Sequence, residues 1–175
     1  MSEPRRVNPE IFAGIGEGPA LQLELEGDDE TRRLGELLAG KMEAGDFVGL
    51  VGDLGAGKTT LMQGVVAAID TTNQWRATSP TYSLIQVYET TPPIFHIDLY
   101  RLEGLSDLES IGYWDYVESR RGITCVEWLD KIPGAWPEQG LIIELTRHDG
   151  ARMARLWADE SWSATVAELD LSILK

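Results

Sequence analysis

Apolar positions recur along the chain in short blocks, some at the two-residue period of strands and some at the roughly 3.6-residue period of helices. LQLELE (21–26) alternates and predicts a strand with one exposed face. Asp28, Asp29 and Glu30 then load the start of a helix with negative charge, which the helix dipole favours. Leu34, Leu38 and Met42 supply its apolar stripe, and Gly45 ends it. FVGLV (47–51) is apolar throughout, as suits a strand buried on both faces. Past a glycine-rich turn, Leu61, Val65 and Ile69, with Met62 and Val66 beside them, predict a helix packed on that strand. YSLIQVYE (82–89) and PIFHIDLY (93–100) read as two strands joined by ETTPP. In the second, Phe95, Ile97 and Leu99 share one face while Ile94, His96, Asp98 and Tyr100 share the other. Ser106 and Glu109 fit a capping box for a short helix, and ITCVEW (123–128) predicts another strand. LIIELTR (141–147) and ARMARLWA (151–158) flank His148-Asp149-Gly150, a hairpin signature. Ser161 is placed to cap a last helix whose Trp162, Val166, Leu169 and Ile173 share a face.

Strands that alternate with helices predict an α/β fold: a mainly parallel sheet flanked by helices and closed by a C-terminal β-hairpin. A length of 175 residues suits one such domain. The expected division is a flexible N-terminal extension at 1–19, the domain proper at 20–158, and a C-terminal amphipathic helix at 159–175. Pro4, Pro9, Gly14, Gly16, Gly18 and Pro19 argue for the extension, with Ile11 and Phe12 as the residues that would pin it.

Composition changes the picture through charge. The net charge is −14, with 29 acidic residues against 15 Lys and Arg. A surface that grips phosphates by itself needs many more cations, so autonomous nucleic-acid binding is not expected, and acidic membranes are disfavoured for the same reason. Residues 46–92 are the least acidic quarter of the chain. The lone Cys125 has no internal disulfide partner. Purely apolar runs fall far short of the roughly 20 residues that span a bilayer. Arg5-Arg6 are followed by VNPEIFAGIGEGPA, which lacks a continuous apolar stretch, so a cytoplasmic location is expected.

The sharpest motif lies in that least acidic quarter. Gly52-Asp53-Leu54-Gly55-Ala56-Gly57-Lys58-Thr59 matches G-x-x-x-x-G-K-[ST], with an apolar strand before it and an apolar-striped helix after it. Glycines let backbone N–H groups close around phosphate oxygens, and the helix start turns its positive end on the anion. Lys58 is expected on the β- and γ-phosphates and the Thr59 hydroxyl on Mg²⁺. A P-loop enzyme usually holds its metal through an acidic residue at the end of a neighbouring strand. Asp98 and Glu127 are the candidates to hold the metal or orient water, and the sequence does not divide the two jobs between them. Glu127 stands inside an otherwise apolar strand, where an unpaired charge is costly. His96 shares a face with Asp98 and reads first as a structural histidine.

GDLGAGKTT (52–60), TSPTYSL (78–84), HIDLYRL (96–102) and CVEWLDK (125–131) occur in series at a spacing that resembles the TsaE family (earlier YjeE), small bacterial P-loop ATPases of tRNA threonylcarbamoyladenosine synthesis. The resemblance covers about residues 21–158. It implies a single P-loop NTPase domain that binds ATP and Mg²⁺ through Asp53, Leu54, Gly55, Ala56, Gly57, Lys58, Thr59 and Thr60. It implies metal-linked roles for Thr59, Glu127 and Asp98, with Asp98, Glu127 and Lys58 as the catalytic set. Ser79-Pro80-Thr81-Tyr82 matches a switch-like loop, which makes Thr81 a γ-phosphate sensor. A basic residue of the C-terminal hairpin borders the nucleotide in the family; Arg152 is the match and Arg155 the alternative. The region of Asp28 and Thr31 is implied near the base. Slow basal hydrolysis, stimulated by TsaB and TsaD, completes the implied picture. Two other readings stay open: a small-molecule or nucleotide kinase using Arg101, Arg120 or Arg121, and a non-catalytic nucleotide-dependent scaffold. The Asn-Lys-x-Asp guanine signature is absent, since Lys131 is followed by Ile-Pro-Gly.

Overall fold

The computed structural model describes Ile15 and residues 18–175 other than Asp149, and of His148 the backbone alone. The expected extension, its pinning at Ile11 and Phe12, and the Asp149 position of the hairpin turn lie outside the described residues.

Strands β1 (Leu21–Leu25), β2 (Phe47–Val51), β3 (Ile85–Tyr88), β4 (Ile94–Asp98), β5 (Ile123–Glu127), β6 (Leu141–His148) and β7 (Ala151–Ala158) form one seven-stranded sheet in the order β1-β7-β6-β2-β5-β4-β3. The four inner strands β6, β2, β5 and β4 are mutually parallel, and antiparallel pairs complete both edges. Inner strands β2, β4 and β5 are buried at every residue, because both their faces are covered. Helices α1 (Asp28–Ala39), α2 (Lys58–Ile69) and α5 (Glu160–Ala167) bury Leu34, Leu38, Leu61, Val65, Trp162 and Val166 against Val48, Leu50, Ile143 and Leu156. On the other face α3 (Leu105–Ser110), α4 (Tyr113–Ser119) and a 3₁₀ turn (Leu129–Lys131) place Leu108, Tyr113 and Leu129 over Val51, Ile97, Val126 and Ile142. Helices α1 and α2 touch through Gly35 and Gly64, where a Cβ would run into the Leu61 and Arg32 carbonyls.

Several local expectations are corrected. Helix α1 ends at Gly40 rather than Gly45, and Met42 is buried from the turn that follows. Residues 82–84 form a turn ahead of β3, with the Leu84 N–H on the Pro80 carbonyl (2.6 Å) and Leu84 at φ +66°. Ser106 does not cap α3: Gly104 is its N-cap, while Asp107 reaches back to the Glu103 N–H (2.7 Å). Asp159, not Ser161, caps α5 by accepting from the Trp162 N–H (2.9 Å). That helix stops at Ala167, so Ile173 falls in a 3₁₀ turn and is exposed. For α3 and α5 the expected cap lies two positions from the observed one, Ser106 against Gly104 and Ser161 against Asp159.

Candidate nucleotide site

Strand β2 runs into the loop 52–57 and emerges as α2 at Lys58. The turn demands left-handed backbone at Gly52 (φ +144°) and Gly57 (φ +112°). At Gly52 a Cβ would meet the Leu145 carbonyl of neighbouring β6, so the glycine also sets how closely the loop lies on the sheet. Leu54 stands at the loop tip, 84% exposed, and Ala56 tucks beneath it. Lys58, only 4% exposed, folds back to donate to the Gly52 carbonyl (2.6 Å) and the Asp53 carbonyl (3.0 Å). Its ammonium lies 3.8 Å from the centre of the Trp128 ring. Burial lowers its pKa below the usual lysine range, and the carboxylates of Glu127, Asp130, Asp98 and Asp53 oppose that shift.

The acids arrive from the ends of β4 and β5, where Asp98 and Glu127 are register partners. Both are buried, at 0% and 2% exposure. Glu127 faces the loop: the Thr59 hydroxyl donates to Oε1 at 3.1 Å and lies 3.4 Å from Oε2. Its Oε1 also meets His96 Nε2 at 2.8 Å, and His96 Nδ1 lies 3.3 Å from the Tyr88 hydroxyl. Burial raises the Tyr88 pKa above the ordinary phenol range, which keeps that hydroxyl a hydrogen donor. Asp98 is committed differently. Its Oδ2 accepts from Ser79 (2.8 Å) and Thr81 (2.7 Å), and its Oδ1 accepts from the Tyr100 N–H (2.8 Å). The loop 79–81 is therefore tied to the end of β4. Trp128 at φ +59° turns the chain sharply after β5, which sets its ring under Lys58.

The far wall comes from the hairpin and α1. Arg152 lies beside Gly57, where a Cβ would sit 3.0 Å from the guanidinium. It pairs with Asp28 (2.6 Å) and donates to the Thr31 hydroxyl (2.9 Å), while its buried Nε has no hydrogen-bond partner among the described residues. Arg155 bonds Gln22 and Glu144 instead and is not part of this wall. Together these groups form a cleft of about 400 Å³, lined by Leu54, Gly55 and Gly57 of the loop and the first turn of α2, by Ser79, Thr81, Glu127 and Trp128, and by Asp28, Tyr100 and Arg152. Tyr100 shares the face of His96 and Asp98 in the alternation of the chain, but no motif gives it a role. Its ring stacks obliquely on Trp128 at 4.9 Å and continues the aromatic floor. No helix among the described residues is long and apolar enough to cross a membrane.

A glycine loop between a buried parallel strand and a helix N-terminus, with a buried Lys, a hydroxyl and a carboxylate beside it, defines a P-loop nucleotide-binding protein. The family described as "Threonylcarbamoyl adenosine biosynthesis protein TsaE" matches residues 25–155. The chain belongs to that family. It is 37% identical over 145 residues to the tRNA threonylcarbamoyladenosine biosynthesis protein TsaE of Nostoc sp., covering 81% of this chain and 86% of that one. The TsaE of Haemophilus influenzae is 40% identical over 113 residues, covering 64% and 70% respectively. The crystal structure of Bacillus subtilis YdiB superposes with a TM-score of 0.68 at 28% identity, over 87% of this chain and 94% of that one.

Proposed function

We propose that the chain binds ATP with Mg²⁺ in this cleft, hydrolyses it slowly, and serves tRNA threonylcarbamoyladenosine synthesis in the cytoplasm by driving or resetting a TsaB–TsaD complex. The observation that carries the reading is the meeting of Thr59 and Glu127 at 3.1 Å beside Lys58. A hydroxyl and a carboxylate oxygen are hard donors of the kind Mg²⁺ takes when phosphates and waters complete its shell. Among the described residues no group of three or more His, Cys, Asp and Glu stands ready as an all-protein cage, so the cation is expected to enter with the nucleotide. When bound, the ion would neutralise charge on the β- and γ-phosphates.

The chain's own groups supply the rest. Backbone N–H groups of the loop and the start of α2 receive the phosphates. Lys58 leaves the Gly52 and Asp53 carbonyls to meet them; its burial makes the charge effective there because little water competes. Arg152 holds the hairpin against Gly57, with its Nε–H unused among the described residues. Thr81 is poised between Asp98 and the cleft, so a γ-phosphate and Asp98 compete for one hydroxyl. The Thr59 contact favours Glu127 for the metal, while the Ser79 and Thr81 contacts favour Asp98 for control of the loop.

Exposed Leu54 and Tyr100 line the cleft, which supports a partner that covers this face. Of the three arginines the kinase reading would use, Arg120 lines a different cleft, beside Gly45 before β2 begins. The test is turnover of γ-labelled ATP with and without a TsaB–TsaD complex. Free phosphate released slowly alone and faster with the complex is expected. Transfer of the label to a small acceptor would establish a kinase. Nucleotide-dependent assembly with no turnover would establish a scaffold.

A further inference from the structure

We propose that His96 is a positioning residue for Glu127, holding one carboxylate oxygen so that the group faces the Thr59 hydroxyl and binds the nucleotide's divalent cation. The inference rests on the reading of Glu127 as a metal carboxylate.

The imidazole is fully buried between β3 and β5 and is held at both ends. Tyr88 from β3 stacks on it at 6.1 Å between centroids and places its hydroxyl 3.3 Å from Nδ1. Nε2 reaches Glu127 Oε1 at 2.8 Å. A carboxylate only accepts, so Nε2 carries the proton, and Nδ1 then accepts from Tyr88. The parallel register sets His96 opposite Cys125, so the ring reaches one face position further along β5 to Glu127. A histidine that merely filled the core would not need to spend its one N–H on a strand-end acid. Here the bond satisfies a carboxylate that would be costly to bury alone. It also fixes which oxygen remains for the cleft. Oε1 takes both His96 and Thr59, whereas among the described residues Oε2 has only the longer Thr59 contact. Groups that orient a metal's ligands from behind typically change its affinity about 10–100-fold when removed.

The test is calorimetric binding of a non-hydrolysable ATP analogue to the full chain, with Mg²⁺ and with chelator. His96→Leu is expected to weaken the Mg²⁺-dependent part of binding by about tenfold or more, with chelator-state affinity unchanged. His96→Gln, which can place an amide N–H near the Nε2 position, is expected to stay within about threefold of the parent. Should His96→Leu fail to fold, Tyr88→Phe carries the test: it frees the far end of the ring and should weaken Mg²⁺ dependence by about twofold to fivefold. Equal loss with and without Mg²⁺, or none, in these variants would overturn the proposal. Glu127→Gln serves as the reference. If it binds the Mg²⁺-nucleotide normally, the reading of Glu127 itself fails. If it loses Mg²⁺ dependence while the His96 and Tyr88 variants keep it, only the positioning role fails.

Discussion

The sheet is open at both ends. Beyond the C-terminal ends of β2, β4 and β5 lies the 400 Å³ cleft, backed by buried Lys58, Glu127, Asp98, His96 and Arg152. Around the start of β2 lies another, of about 770 Å³, lined by Phe47, Trp114, Trp136 and Trp162, with Asp46, Glu118 and Arg120 among the charged residues. The second is nearly twice as large, yet no side chain lining it is both charged and fully buried. Volume does not mark the site. What marks it is ionisable groups forced together where parallel strands stop, since only there do separate strand ends deliver side chains to one crevice.

The largest test of this contrast is backbone geometry. Gly52→Ala places a methyl against the Leu145 carbonyl at a left-handed position, and unfolding in urea should show a loss of about 3 kcal/mol or more. Lys58→Ala comes next. Nucleotide affinity should fall about 100-fold, near 2.7 kcal/mol, in calorimetry while stability changes little. Trp136→Ala, whose ring meets Phe47 edge-on in the far cleft, should do the reverse: about 2 kcal/mol of stability lost and nucleotide affinity unchanged. If Trp136→Ala also loses nucleotide, the two ends are coupled and the contrast collapses. Thr59→Ala should cost about tenfold in Mg²⁺-dependent nucleotide binding and nothing in chelator.

The smallest effect is electrostatic. Burial raises the Asp46 carboxyl above its ordinary 3.8, more than the Glu43 N–H and Arg120 lower it. The folded chain thus holds this proton to higher pH than the unfolded chain. Its contribution to stability falls as pH rises through that window and stays lower above it. Asp46→Asn should remove the penalty, raising stability near neutral pH by less than about 1 kcal/mol, because the group is only half-buried. Below the window parent and variant should match in urea unfolding.

The phosphate loop is legible in the sequence because its chemistry is local: glycines, Lys58 and Thr59 fall within eight residues, between an apolar strand and an apolar helix. The alternation of β4 likewise puts His96 and Asp98 on one face from the residue order alone. What stays hidden depends on distant partners. Thr59 and Glu127 are 68 positions apart, and Arg152 and Thr31 are 121 apart. Only the register of β2 on β5 and the pairing of β1 with β7 bring them together. Alternation along β7 separates Arg152 from Arg155, but it does not say which side faces the loop. The misplaced caps have a shorter-range cause. Ser106, Ser161 and Gly45 are plausible boundary residues, but helix ends are set by which backbone groups the sheet leaves free.

The placement of β6 has a consequence for the order in which the ribosome delivers the chain. β2 and its loop are made early, yet one of β2's two neighbours is β6, and the loop is braced by the Leu145 carbonyl and by Arg152. During synthesis, at about 5–20 residues per second, the loop therefore waits for nearly a hundred residues before its cradle exists. A nascent chain arrested before residue 141 would carry the whole glycine motif and still lack one wall of the cleft. The complete cleft thus needs residues from both ends of this interval.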